Sequence, residues 1–361
     1  MSASEGRQAG AAISIAAVVV VIYGMQAASV LLVPFLMAIF LALISVRPML
    51  WLQTNHVPSV LAALLIVVAM MLMLGLVGIV LGTSIADFTA ALPGYQARLD
   101  AIIDGFLTFA GRYVDDGQSI EGLGDLIDPG WAMSQAASLL NALRDVLTNA
   151  FLIMFTMVFI LLEASGFGVK VRAAFGQNTS AFGRARQFLN NLGRYLGIKT
   201  VVSMATGFFA WLATWWIGLD FPLLWGMLAF LLNYVPTIGS IIAAVPAVLM
   251  ALVQLGPAEA ASTGLAFLLI NIVFGNFAEP RLMGYGVGIS PLIVFMGLVF
   301  WGWVFGPIGM LLSVPLTMTL KMALESDPAT RWIAILIGSE RDAEHALALR
   351  GVEEEVDEQA A

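Results

Sequence analysis

The chain contains apolar stretches too long for a water-soluble domain to bury. No charged side chain occurs from Ala11 to Val46, Val57 to Ala86, Val146 to Leu162, Thr200 to Leu219, Phe221 to Ala258, Ala260 to Ala278 or Leu282 to Leu320. About 20 apolar residues of helix cross a hydrocarbon layer of about 30 Å, and a helix satisfies every backbone amide and carbonyl internally. Several of the runs are long enough for two crossings. Only 11% of the 361 residues are charged, against roughly 25% in a soluble domain. The expected fold is all-α, a polytopic helical membrane protein with about eight transmembrane helices and a broken or re-entrant hairpin.

Charges between the runs predict which side each connection faces. Residues 1–10 carry Glu5 and Arg7 ahead of a 36-residue apolar run. A cleaved signal peptide has an apolar core of only about 7–15 residues, so 1–10 reads as a short cytoplasmic tail. Residues 11–86 then hold the first three membrane helices. Residues 87–145 have nine acids against three arginines, with Gly111, Gly117, Gly122, Gly124 and Pro129–Gly130 as punctuation. Groups such as Leu99/Ile102/Ile103/Phe106 and Leu139/Leu140/Leu143 are spaced for short amphipathic helices. Residues 146–163 form the fourth span. The connection 164–199 carries Lys170, Arg172, Arg184, Arg186, Arg194 and Lys199 with no acid, which marks it as cytoplasmic and puts 87–145 outside. Residues 200–322 make a transmembrane core with broken hairpins. Residues 323–361 are a cytoplasmic tail ending in Glu353, Glu354, Glu355, Asp357 and Glu358.

Several chemistries lack their residues. Cysteine is absent, and the two histidines, His56 and His345, lie in a loop and in the tail. Neither has neighbours that would complete a metal site. A phosphate-binding loop, a potassium-type filter and a heme ligand pair are also missing, so no cofactor, metal or catalytic residue is expected. The chain reads as neither an enzyme nor a self-contained ATP-driven pump, and nothing in it points to nucleic acid.

A weak repeat lies in the carboxy-terminal third. FPLLWGMLAFLLNYVPTIGSIIAAVP at 221–246 and SPLIVFMGLVFWGWVFGPIGMLLSVP at 290–315 are equally long. Pro222 matches Pro291 and Pro246 matches Pro315, while the inner breaks around Pro236–Gly239 and Pro307–Gly309 slip by one or two places. Proline removes a backbone donor and glycine tolerates a bend. Breaks of this kind at membrane depth need protein or a wet cavity to satisfy the freed groups. Inverted pairs of interrupted segments point to a transporter's binding region. Polar residues at the same depth are Asn233, Asn271 and Asn276. Glu279 and Arg281 flank Pro280 at the predicted inner mouth, either as an ion pair or as a gate, and Pro280 biases Glu279 away from helical geometry. Glu279 and Glu163 are the candidate ion-coupling carboxylates.

The segments YLGIKTVVSMATG at 195–207, GLDFPLLWGMLAFLLNYVPTIGSIIAAVPAVL at 218–249, INIVFGNFAEPRLMG at 270–284 and GISPLIVFMGLVFWGWVFGPIGMLLSVPLT at 288–317 resemble the autoinducer-2 exporter family, also called the PerM-like permeases. The likeness covers roughly residues 10–325 and is nearest its subgroup of proposed autoinducer-2 transporters. The resemblance implies a bacterial inner-membrane protein of about eight spans, a homo-oligomer, possibly a pentamer, and export of a small solute, while the charge distribution puts both termini in the cytoplasm. It places the family's motif residues on Asn233, Pro236, Gly239, Asn276, Glu279, Pro280, Arg281, Gly284, Pro291, Gly306, Gly309 and Pro315. Lys199 departs from it, since many members carry glutamine there. Glu163 departs too, where an aspartate followed by further polar residues is common.

The expected function is export of a small polar metabolite or signalling molecule, with lipids and like subunits as the other partners. The path or gate would use Asn233, Pro236, Gly239, Asn271, Asn276, Glu279, Pro280, Arg281, Pro307 and Gly309. A monovalent cation–proton antiporter is the first alternative, and a membrane scaffold binding a partner through 87–145 the second.

Overall fold

A computed structural model describes residues 3–110, 148–175, 180–236, 238–283, 288–327 and 329–340, with 343, 344 and 347. All regular structure among these is helical: α1 (Ala3–Ala27), α2 (Ser29–Thr54), α3 (Ser59–Ala110), α4 (Ala150–Phe175), α5 (Ser180–Ile217), α6 (Pro222–Leu232), α7 (Gly239–Gln254), α8 (Pro257–Ile270), a π-helical segment (Asn271–Ala278), α9 (Glu279–Met283), α10 (Pro291–Leu311), α11 (Ser313–Ser326) and α12 (Arg331–Ile337). Five stretches among the described residues are long and apolar enough to cross a bilayer: Ser29–Thr54, Ser59–Ser84, Gln187–Ile217, Pro257–Met283 and Pro291–Leu311. Ala16–Ala27, Ala150–Glu163, Pro222–Leu232 and Gly239–Gln254 are shorter apolar helices. The protein is therefore an all-α, multi-pass helical membrane protein.

The chain divides into two units. The first draws on residues 1–67, 151–193 and 285–361. Here α1, α2 and α10 pack on one another. Trp301, Val304 and Phe305 of α10 are buried against Ile22, Met25, Leu32, Val33 and Leu36. Proline at 307 has no N–H for the carbonyl four residues back, which is that of Trp303. The Gln26 side chain of α1 donates to that carbonyl at 3.3 Å. Just before it, Gly306 adopts φ 68° and ψ −153° inside α10, a backbone state open chiefly to glycine. The chain bends there so tightly that a Cβ on Gly309 would strike the Trp301 carbonyl.

The second unit draws on residues 68–150 and 194–284. In it α7 packs against both α6 and α8. Helices α5 and α6 meet almost backbone to backbone, since a Cβ on Gly207 would lie 2.7 Å from the Gly226 carbonyl oxygen. Only glycine on both sides permits that approach. The break between α6 and α7 brings Gly239 under the Leu232 carbonyl, where again no Cβ fits. The two repeats thus share a device: proline opens the first helix at 222 and 291, and a glycine after the break presses on a carbonyl before it.

Two helices run further than charge counting suggests. Helix α3 continues to Ala110 instead of breaking into short helices from residue 87; Leu139, Leu140 and Leu143 lie outside the described residues, as does most of 87–145. Its extension is held by Tyr95, whose hydroxyl donates to Asp220 Oδ2 at 2.7 Å. Partial burial and that carboxylate push the phenol up to about 12. The Asp220 turn is itself knitted, with its N–H donating to Gln254 Oε1 at 2.8 Å and its carbonyl accepting from Trp225 Nε1 at 2.8 Å. Helix α5 starts at Ser180, so its apolar stretch Gln187–Ile217 takes in Arg194 and Lys199. Lys199 is tolerated there because it is paired, as described next.

Candidate functional site

On α5, Tyr195, Lys199, Ser203 and Thr206 recur at steps of four, four and three, which stacks them on one helix face. All four are buried. Lys199 and Ser203 of this face meet polar side chains from α9 and from the end of α6. Lys199 Nζ donates to both carboxylate oxygens of Glu279, at 2.7 and 2.8 Å. The side chains are 6% and 18% exposed respectively. Asn233, buried at the end of α6, donates from Nδ2 to Ser203 Oγ at 2.9 Å. Tyr234 donates to Thr200 Oγ1 at 2.8 Å.

The structure excludes one of the two alternatives for Glu279 and Arg281, and corrects the expected backbone before Pro280. Glu279 does not pair with Arg281, which extends outward with its guanidinium 6.0 Å from the Phe277 ring centre. Nor does Pro280 force Glu279 out of helical geometry, since Glu279 has φ −58° and ψ −52°. The reason is the π-helical segment before it. A proline ring ordinarily collides with the carbonyl four residues back, here that of Asn276. Hydrogen bonds that reach five residues back, such as Glu279 N–H to Phe274 O, widen the turn and relieve the collision. π-Bulges of this kind are frequent at functional sites.

The remaining predicted residues fall into separate places. Asn271 opens the π-segment and stands over Gly275, where its Oδ1 lies 2.9 Å from the position of a would-be Cβ. Asn276 and Pro280 are exposed and join neither the ion pair nor the Asn233 cluster. Pro236 sits in the α6–α7 break, its carbonyl accepting from Ile238 N–H at 2.6 Å. Pro307 and Gly309 belong to the first unit, at the Gly306 bend, and Gly284 lies outside the described residues. Glu163 is also in the first unit, exposed on α4 and bonded to Lys170 at 2.5 Å. Sequence reading missed Lys199, Ser203 and Thr206 as site residues. Their three-to-four spacing was present, but it straddled the boundary assumed at 199/200.

The arrangement has no nucleophile paired with a base, and no group of three His, Asp or Glu among the described residues is placed to hold a metal. It is a buried charge pair plus side-chain amides and hydroxyls, held across helices that carry a break and a π-segment. Comparison with known proteins agrees with that character. The profile of the AI-2E family transporters matches residues 15–327. The chain belongs to the AI-2E family. It is 36% identical to AI-2 transport protein TqsA of Escherichia coli over 320 residues, covering 88% of this chain and 92% of that one. It is 33% identical to the putative transport protein YhhT of E. coli over 333 residues, 91% and 94% of the two chains. It is 25% identical to the putative transport protein YrrI of Bacillus subtilis over 308 residues. As an AI-2E family member it is a membrane transport protein and not an enzyme.

Proposed function

We propose that the protein exports a small polar, uncharged or weakly charged metabolite from the cytoplasm across the bacterial inner membrane. The observation that carries this reading is the buried Lys199–Glu279 pair, joining two apolar membrane-length helices beside Asn233, Ser203 and Thr206. Intramembrane ionisable groups are costly and mark substrate or ion pathways. The pair acts as an inner gate that opens by parting the two charges. The broken segments at Pro236 and Pro307, as re-entrant or spanning hairpins, let the helices on either side move separately, and Arg281 guards the mouth. The relative named for AI-2 transport makes autoinducer-2 the first solute to try.

In this reading about eight segments span the membrane, both termini are cytoplasmic, and residues 87–145 lie outside. The protein works as a homo-oligomer, with a pentamer as the first expectation. The stretch Ser59–Ser84 supports this, with only 6% of its apolar window buried within the chain. Gly75 and Gly82 open that surface to close approach by another helix.

The test is purified protein in liposomes, loaded with autoinducer-2 or a panel of small neutral metabolites, under imposed pH and sodium gradients. Compared at matched reconstituted density and oligomeric size, Glu279→Gln should impair efflux, and Arg281→Gln less so. Wild-type efflux from Glu279→Gln at matched density would remove the pair from the path. The carboxylate–ammonium pair also favours a second reading, monovalent cation–proton antiport with Glu279 titrating. Proton-driven sodium flux without metabolite flux, lost in Glu279→Gln, would decide for it.

A further inference from the structure

Two cavities in the second unit share a wall. The larger, about 350 Å3, is an open groove walled by aliphatic side chains of α7 and α8, among them Val248 and Leu268. Its polar lining residues are Ser240 and Asn271. The smaller, about 10 Å3, is bounded by the same Ser240 and Asn271 together with Thr206 and Asn233. That is close to the volume one water needs.

Thr206 is what makes the small cavity unusual. Thr200, Thr214, Thr263 and Thr317 each donate to the carbonyl four residues back, at 2.7–2.8 Å. Thr206 is only 7% exposed, yet its hydroxyl has no hydrogen-bond partner among the described residues. Asn233 uses its Nδ2 on Ser203, which leaves its amide oxygen as an acceptor. A buried hydroxyl and an amide oxygen with no hydrogen-bond partner among the described residues, beside an apolar groove, form a ligand pocket of ordinary kind, mostly apolar with a few placed polar groups. Among the described residues no charged side chain lines either cavity, and Lys199 and Glu279 are engaged with each other.

We propose that the two cavities form one binding site for a neutral amphipathic solute. Its hydroxyl or carbonyl end enters between Thr206, Asn233, Ser240 and Asn271, and its hydrocarbon part fills the groove. At the share of about 30 Å3 per molecule in liquid water, the groove holds roughly a dozen non-hydrogen atoms. The site rests on the export reading for its role as the solute site, and narrows the solute to uncharged molecules with one apolar flank.

The chain has no cysteine, so single cysteines report without background. Ser240→Cys, on the shared wall, is reacted with methyl methanethiosulfonate in nanodiscs, with and without three probes of equal heavy-atom count: hexane-1,2-diol, hexanoate and erythritol. The diol should slow modification at least fivefold, while hexanoate, which is charged, and erythritol, which has no apolar flank, leave it unchanged. Gly264→Val, added to fill the groove, should abolish the protection, and Thr206→Val should weaken it several-fold. Met204→Cys, on the exposed side of α5, should show no protection. If Ser240→Cys misfolds, Asn271→Cys replaces it. Equal protection by all three probes, protection at Met204→Cys, or none at Ser240→Cys and Asn271→Cys would overturn the site and leave a cavity for water or lipid. Labelling needs no flux, so protection without solute efflux from liposomes would sink the export reading alone, while efflux that persists without protection would sink only the site.

Discussion

Replacing Lys199 with methionine tests the ion pair directly. At 2.7 Å, two unit charges attract by about 6 kcal/mol at an effective dielectric constant near 20. Removing the water from an ammonium that is only 6% exposed cancels most of that gain. The pair as a whole therefore adds little, whereas stranding one member costs about 3–5 kcal/mol. Glu279 keeps some access to solvent at 18% exposed, so Lys199→Met should fall near the lower limit, about 3 kcal/mol. Glu279→Leu strands the more deeply buried ammonium and should cost about 4 kcal/mol. The double variant replaces a pair by apolar side chains and should stay within about 1 kcal/mol of the parent, for a coupling of about 6 kcal/mol. Unfolding by sodium dodecyl sulfate in mixed micelles, followed by circular dichroism, measures all three. A double variant as unstable as the worse single one would refute the argument. So would Lys199→Met within about 0.5 kcal/mol of the parent, since the charges would then be independently solvated.

Gly239→Ala and Gly309→Ala should each destabilise by about 1–3 kcal/mol through overpacking against a carbonyl, whereas Gly75→Ala, whose Cβ meets nothing, should be neutral in the same micelle unfolding. With its phenol raised to about 12, Tyr95 contributes stability that is fully present below pH 10, its unfolded value, and is lost as pH rises through the folded value. An alkaline unfolding titration should show that loss in the parent and a smaller one in Tyr95→Phe. Single cysteines at Gly117 and Gly183 should react with an impermeant maleimide from opposite faces of the membrane, outside and inside respectively; labelling of both from one face would sink the topology.

How much of this could be read from residues alone depended on whether the cause was local. The apolar runs that became Ser29–Thr54, Ser59–Ser84 and Pro257–Met283 were plain, since crossing a bilayer is a matter of length and composition. The glycines after Pro236 and Pro307 stood out through their place in the repeat. Lys199 did not, because a lysine ends a membrane helix by every local rule. What keeps it inside is a carboxylate 80 residues further along. Asn233 was visible as a polar residue at depth, but its partner Ser203 was hidden among ordinary serines and threonines of an apolar helix. For Pro280 the local rule was sound and still gave the wrong geometry, because the helix had changed type one turn earlier.

That change of type is also a matter of counting. Hydrogen bonds that reach five residues back instead of four consume one extra residue in the same turn. An α-helix turns about 100° per residue, so deleting one residue between 272 and 278 to restore α spacing would swing Glu279 by about that angle, away from Lys199. The carboxylate faces its lysine because the segment holds one residue more than an α-helix has room for.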